Sequence, residues 1–447
     1  MDMQSLSLGS AADTAATGRG DQEWWAAYGD RQLDGWLAVE LSNTPSMQEA
    51  AARLRRASAE LDGVAADREP RVDGAAKALG ERFPDHSVYP APEAGNWGSE
   101  GALSVGASYA LDFWGKRRQA VDAAAARVDV AQAEVADAAL LLRVMLVDAY
   151  LRLDAAYEIR DIASAGLALR QGVIDLLAAR RKAGIADDID AIQARDAITN
   201  TRDEIARMTA EIALRRHQIA ALLGRDPAFA DQIARPSLRT LDDPAPLSGI
   251  SADLLGYRPD VVAARATVEA AGHEIGVARA AFYPDVNLVA FAGVQSLGLD
   301  SLLRASSIAA GAGPAITLPI FDGGRLRANL QGRAAEYDRA AALYDATLTH
   351  ALREVADGLA SLESERSRQR EAQTALAVWS HNLALTQLRE RHGLSSALDR
   401  LSVETALLLA RRRTAEANIR VATAQIALIH ALGGAWAPSS MSPQGPK

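Results

Sequence analysis

Residues 115 to 183 and 325 to 392 form two stretches of nearly seventy residues each, and neither contains a proline. In the first, Val128, Ala131, Val135, Ala138, Leu142, Met145 and Ala149 are spaced alternately by three and four. In the second, Tyr337, Ala341, Tyr344, Leu348, Ala351, Val355 and Gly358 repeat that spacing. Such spacing lines one side of a helix with an apolar seam, and the lack of proline leaves the helix unbroken. At 1.5 Å per residue each helix runs ~100 Å. The small residues along both seams call for close backbone approach, with several helices side by side. A second helical stretch follows each, over about 186 to 223 and 395 to 432.

The two halves are copies of one another. KAGIADDIDAIQARDAI (182 to 198) lies over RHGLSSALDRLSVETAL (391 to 407) without a gap, pairing Gly184 with Gly393, Ile189 with Leu398, Asp190 with Asp399 and Ile192 with Leu401. Phe113 falls on Phe321, and AALLG (220 to 224) falls on HALGG (430 to 434). Two long copies are a duplication, unlike the many short units of a solenoid.

Each copy enters its long helix from strand chemistry. SYALDFWGKRRQA (108 to 120) and TLPIFDGGRLRANL (317 to 330) both pass from an apolar run, through glycine, into a basic helical pattern. Val105, Ala107, Tyr109 and Leu111 alternate with small or polar residues, as do Ile308, Ala310, Ala312, Ile316, Leu318 and Ile320. Period-two alternation is the mark of a strand with two unlike faces. Upstream runs at 70 to 83 and 283 to 295 supply a partner for each, giving two hairpins that each feed a long helix. Two hairpins leave open edges, so in a membrane they must close with other chains.

Composition removes other classes. No apolar run approaches the ~18 to 20 residues of a transmembrane helix. The chain has no cysteine, hence no disulfide framework, thiol catalysis or cysteine-ligated metal. A net charge of −9 argues against nucleic acid as a partner. The seven histidines form no HExxH pair, and there is no GxSxG or GKS/T motif, so no enzyme, cofactor or metal site is expected. Asp187, Asp188 and Asp190 read as carboxylates at a helix start. Periodicity alone leaves one alternative open, a cytosolic helical coiled-coil scaffold.

LLGYRPDVVAARATVEAAGHEIGVARAAFYPDVNLVAFAG (254 to 293) resembles the signature of TolC-like outer-membrane efflux channels, in their lipoprotein branch of multidrug and NodT-type members. WWAAYGDRQLDGWLAVELSNTPSMQEAAARLRRASAE (24 to 60), SYALDFWGKRRQA and LPIFDGGRLRA follow the same branch in order, so the resemblance covers about 24 to 436. It implies an α+β membrane channel: a trimeric twelve-stranded β-barrel, four strands per chain, continued by a long α-helical barrel, with an internal two-fold repeat. It implies an outer-membrane exit duct of a tripartite efflux system, conducting drugs or other small molecules passively. The implied partners are two further copies in a homotrimer, a periplasmic adaptor, an inner-membrane pump of RND type, and outer-membrane lipid. The implied location is the outer membrane of a Gram-negative bacterium, with a large periplasmic part. Members of this branch usually begin with a lipidated Cys and the chain as written carries none; either the anchor has been removed, which is the expectation, or this member has no lipid, and any export signal has been removed or replaced.

On this reading residues 1–23 are a flexible segment, 24–69 outer-layer helices, 70–114 the first hairpin and 115–224 the first long-helix repeat. Residues 225–258 link the repeats in the equatorial belt, 259–282 form a short helix, 283–322 the second hairpin, 323–434 the second repeat and 435–447 a tail. Trp114 and Gly115, with Asp322, Gly323 and Gly324, mark the junction between the barrels. Gly184, Ile185 and Ala186, with Gly393, Leu394 and Ser395, mark the periplasmic tip and the adaptor contact. Leu398 and Asp399 would form the aperture gate: an apolar ring and a ring of mutually repelling carboxylates with a raised apparent pKa. Ser402 and Thr405 stand where the family often has a further Asp and an Arg.

Overall fold

The computed structural model describes residues 24–86, 89, 91, 93–184, 188–238 and 256–435. These divide at 52/53, 132/133, 262/263 and 344/345 into two compact units, one carrying both hairpins (53–132 and 263–344), the other carrying the remainder.

In the hairpin unit, β1 (Arg71–Arg82), β2 (Trp97–Leu111), β3 (Asp285–Leu297) and β4 (Ile308–Thr317) form one antiparallel sheet in the order β1-β2-β3-β4. The central pairing, from Glu100 opposite Leu297 to Leu111 opposite Val286, joins the two sequence copies. Register separates two chemistries. One face carries Val72, Ala76, Leu103, Val105, Tyr109, Leu288, Val294, Ile308 and Ile316, and its only charged strand residue is the terminal Arg82. The other carries Arg71, Asp73, Lys77, Glu81, Glu100, Asn287 and Gln295, interrupted by Leu79, Val289 and Phe291. Lys77 bonds Glu100 across β1 and β2 at 2.7 Å on this polar face.

All four strand ends opposite the hairpin turns lead to helices. Helices α2 (Pro45–Ala66) and α5 (Pro259–Ala280) precede β1 and β3, while α3 (Lys116–Lys182) and α6 (Arg325–Arg391) follow β2 and β4. Within this unit Glu274 of α5 bridges Arg127 of α3 and, at 3.6 Å, Arg333 of α6. The duplication is carried into the coordinates: α3 and α6 each have 67 residues, and α4 (Asp188–Leu222) and α7 (Ala397–Ala431) each have 35. Among the described residues, no helix is long and apolar enough to cross a membrane.

In the helical unit the core gathers Trp25, Tyr28, Leu33, Trp36 and Leu41 onto Leu142, Leu146, Tyr150 and Leu153 of α3, Ile212 and Ile219 of α4, and Leu223 just beyond it. Burying each large apolar side chain contributes about 1.5–3 kcal/mol. Helix α3 therefore buries more than the single seam its spacing predicts: Val147, Tyr150 and Leu151 are also enclosed, while the seam residue Met145 stays exposed. In α6 the predicted seam residues Leu348, Ala351 and Val355 are buried.

Two polar clusters fix this unit. Asp30, 3% exposed, caps the short helix α1 (Arg31–Gly35) and accepts from the Tyr150 hydroxyl at 2.9 Å and the Ser237 N–H at 2.7 Å. Burial pushes its carboxyl upward, but the bonds from Ser237, Tyr150, Leu33 and Gln32 together outweigh that and hold it below its ordinary range. Arg258, 5% exposed, donates to Asp260 at 2.8 Å, to Glu354 of α6 at 2.5 Å and to the Ala431 carbonyl ending α7 at 2.9 Å. One side chain thus joins the start of α5, the middle of α6 and the end of α7.

Near Asp30, burial and the Glu158 carboxylate push the Asp154 carboxyl up to about 6, against the opposing pull of Arg235. A raised carboxylate binds its proton on folding, so stability rises as pH falls through 6; the lowered Asp30 loses stability only below its ordinary range. Thermal midpoints of the detergent-solubilised protein should therefore rise from pH 7.5 to 5 and fall below about pH 4. Asp154→Asn should flatten the rise, and Asp30→Asn should lower the midpoint at pH 7.5 by the equivalent of about 1–3 kcal/mol.

Candidate functional site

The junction residues sit at one end of the sheet, where Leu111, Val286 and Ile316 align across three strands. Trp114 stacks on Tyr283 with ring centroids 4.6 Å apart, and its indole N–H donates to the Pro284 carbonyl at 3.0 Å. Gly115, Gly323 and Gly324 take φ values of 72°, 66° and 91°, which a β-branched side chain resists. Each long helix is opened by an aspartate. Asp112 accepts from the N–H groups of Arg117 and Arg118 at 3.1 and 2.8 Å, and Asp322 from those of Gly324 and Leu326 at 3.0 and 2.8 Å. The Leu326 N–H above all holds the Asp322 carboxyl below its ordinary range. Sequence reasoning singled out Asp322 but passed over Asp112, although both stand just before Gly-bounded helix starts. Asp285 adds a cross-tie, meeting Arg117 at 3.4 Å and Lys116 at 3.7 Å.

At the far end of the long helices, Gly184 and Gly393 turn the chain with φ of 75° and 70°. Gly393 donates to the Glu390 carbonyl at 3.0 Å, and Leu394 reaches back to the Arg389 carbonyl at 2.8 Å, leaving its side chain 69% exposed. Ile185 and Ala186 lie outside the described residues, as does Asp187; α4 begins at Asp188. Ile189, Ile192, Leu385 and Leu388 are exposed apolar residues on the helices flanking these turns, and only the first two fall in segments the sequence reading had quoted.

Leu398 is half-buried in the first turn of α7. Asp399 is the N3 residue of a capping box: its carboxylate accepts from the Ser396 N–H and hydroxyl, both at 2.8 Å, and from the Ser395 hydroxyl at 3.1 Å. These bonds, Ser396 first, hold its carboxyl below the ordinary range within one chain, opposite in direction to the rise expected from a carboxylate ring. Arg400 beside it is held between Glu390 at 2.9 Å and Glu404 at 2.7 Å.

A sheet apolar on one face and polar on the other, tied by capped glycine turns to paired long helices, is the wall of a membrane pore with a helical extension. Residues 36–225 and 250–434 match the family model described as outer membrane efflux protein. The chain belongs to that family. It is 33% identical to the outer membrane protein OprJ of Pseudomonas aeruginosa over 96% of this chain and 89% of that protein. It is 38% identical to the fusaric acid resistance protein FusA of Burkholderia cepacia, over 74% of this chain and 63% of that relative's length. The outer membrane protein VceC of Vibrio cholerae superposes with a TM-score of 0.83 at 33% identity, covering 92% of this chain and 98% of that one. The fold is that of the trimeric TolC-like channels, with four strands per chain in the barrel. This efflux protein is a passive outer-membrane channel of a Gram-negative efflux system, which supersedes the cytosolic scaffold.

The junction geometry makes a sharp demand on side chains. Gly323→Val and Gly324→Val should each abolish the trimer band on semi-native gels. Gly313→Ala, placed mid-strand with nothing within 4 Å of an added Cβ and no positive φ, should leave it intact.

Proposed function

We propose that this efflux protein takes cargo from a periplasmic adaptor docked at the tip turns around Gly184 and Gly393, fed by an inner-membrane pump of RND type. The observation that carries the reading is the matched length of the two helix pairs, 67 and 35 residues in each copy. Equal pairs end in equivalent turns, so three chains offer six related tips, a repeating surface suited to several copies of one adaptor. The exposed apolar residues Leu394, Ile189 and Ile192 beside those turns supply contact area. Cargo energy comes from the pump, since a passive duct does no chemistry. Relatives are named for fusaric acid, for toluene and for multidrug resistance. Small aromatic compounds are accordingly the cargo proposed, and Phe291 and Val289 on the polar sheet face give such compounds an apolar step along the wall.

Leu398 and Asp399 form the resting aperture in this reading, with Leu398 as the apolar constriction and Asp399 as a fixed negative ring. Ser402 and Thr405 leave that closure with one acidic ring fewer than in relatives that carry the Asp and the Arg.

Gly393→Pro should restore the drug sensitivity of a strain lacking the channel while leaving trimer assembly unchanged on semi-native gels; full resistance in both Gly393→Pro and Gly184→Pro strains would remove the tip assignment. In planar bilayers, Leu398→Ala should raise single-channel conductance, and Asp399→Asn should lower cation preference. Recordings of both that match the unmodified trimer would place the aperture elsewhere.

A further inference from the structure

The turn between β3 and β4 is longer than closing a hairpin requires, and it folds to one side. Gly298 donates to the Ser99 carbonyl at 2.7 Å, and Leu299 donates from its N–H to the Ser99 hydroxyl at 3.1 Å. A Cβ placed on Gly101 would lie 2.8 Å from Leu299 Cδ2 and 3.0 Å from Leu302 Cδ2. Ser99 and Gly101 share their parity with Leu103, Val105 and Tyr109, so the turn lies over the apolar face of the sheet and away from the polar one. Its internal bonds make it a formed element: Ser301 donates to the Gly298 carbonyl at 3.0 Å, Arg304 to that of Ser301 at 3.1 Å, and the Ser307 hydroxyl to that of Ser301 at 2.8 Å.

What this turn presents is unusual for a water-exposed loop. Leu303 is 84% exposed, and Trp97, on the same face, is 77% exposed. Arg82 lies opposite Trp97 in the register, and Arg304 follows Leu303. Among the described residues the ion pairs of these two arginines are long and exposed, Arg82 to Asp85 at 3.5 Å and Arg304 to Asp300 at 3.8 Å. All of this sits at the end of the sheet opposite the four helices, hence at the rim facing the cell exterior.

We infer that Trp97, Leu299, Leu302 and Leu303 with Arg82 and Arg304 form a docking surface for the phosphorylated, multiply acylated glycolipid of the outer leaflet. The leucines extend the apolar face of the sheet upward to meet acyl chains, and the indole sits at the level where chain gives way to headgroup. The guanidinium groups stand at that same rim, where a phosphate offers charge-assisted, bidentate bonding that an exposed aspartate several ångströms away does not. Charge complementarity and continuity with the lipid-facing sheet select this occupant over a soluble protein partner. The inference rests on the outer-membrane location and is independent of the adaptor, pump and cargo proposed above.

The test is native mass spectrometry of the full-length trimer in detergent doped with bis-phosphorylated lipid A, with dephosphorylated lipid A and phosphatidylcholine as comparators. Bound bis-phosphorylated lipid A should exceed both comparators at least fivefold, and Arg82→Gln with Arg304→Gln should remove that excess. Leu303→Ser, which keeps every charge, should weaken all adducts carrying the lipid A acyl set, so the surface remains testable if the double variant fails to trimerise. Arg71→Gln, on the polar face of the same strand, should bind like the unmodified trimer. Equal binding of the dephosphorylated lipid, unchanged binding in both rim variants, or an equal loss in Arg71→Gln would overturn the assignment.

Discussion

A four-stranded sheet with one apolar face and two open edges cannot rest alone in a bilayer. Along the outer sides of β1 and β4 the backbone N–H and C=O groups have no strand partner among the described residues, and each such group costs several kcal/mol in hydrocarbon. Threefold closure, β4 of one chain onto β1 of the next, satisfies both edges at once and leaves none. The trimer is thus a condition for the sheet to exist in lipid, and the long helices that each chain carries share its symmetry. Their lengths, matched residue for residue between the copies, follow from the same demand: six helix pairs must end together if they are to line one tunnel.

The junction is where the two architectures must be reconciled. A strand advances about 3.3 Å per residue and a helix 1.5 Å, with different side-chain periods. Converting one to the other within a few residues needs a backbone free to take positive φ and a carboxylate to satisfy the first helical N–H groups. Gly115 with Asp112, and Gly323 and Gly324 with Asp322, supply both in each copy. The second copy uses one more glycine than the first, so the repeat is equivalent in mechanism without being identical in sequence.

Much of this was legible in the sequence because the signals are periodic or local. Alternation marked β2 and β4, the need for a hairpin partner marked β1 and β3, the proline-free seams marked α3 and α6, and the glycines marked the turns. What escaped depends on groups far apart in the chain. Asp30 finds Tyr150 and Ser237 only after the N-terminal segment has docked on α3, and Arg258 finds Glu354 and the Ala431 carbonyl only after α6 and α7 are placed. No spacing rule announces such contacts. The single seam read along α3 failed for a related reason: a three-and-four spacing describes one partner, whereas the buried residues between Leu142 and Tyr157 share one core with the N-terminal segment and α4 together. Leu299 and Leu302 gave no signal either, since a leucine in a turn reads the same whether it faces water or folds onto a sheet.

Asp399 is a helix cap in the structure and, in the aperture proposed above, also a member of a charge ring. The Ser396 N–H and hydroxyl and the Ser395 hydroxyl act on its carboxylate at hydrogen-bonding distance and favour the ionised form. In the aperture proposed above, repulsion from symmetry-related copies favours the neutral form, and water weakens it because the group is exposed. Within the chain these bonds, Ser396 first, hold the carboxyl below its ordinary range, on the ionised side of neutrality. In the aperture proposed above, a ring built this way is a standing electrostatic feature and does not titrate as a switch near neutrality. On that proposal, opening comes from movement of the capped helix ends themselves, which carry the charge with them.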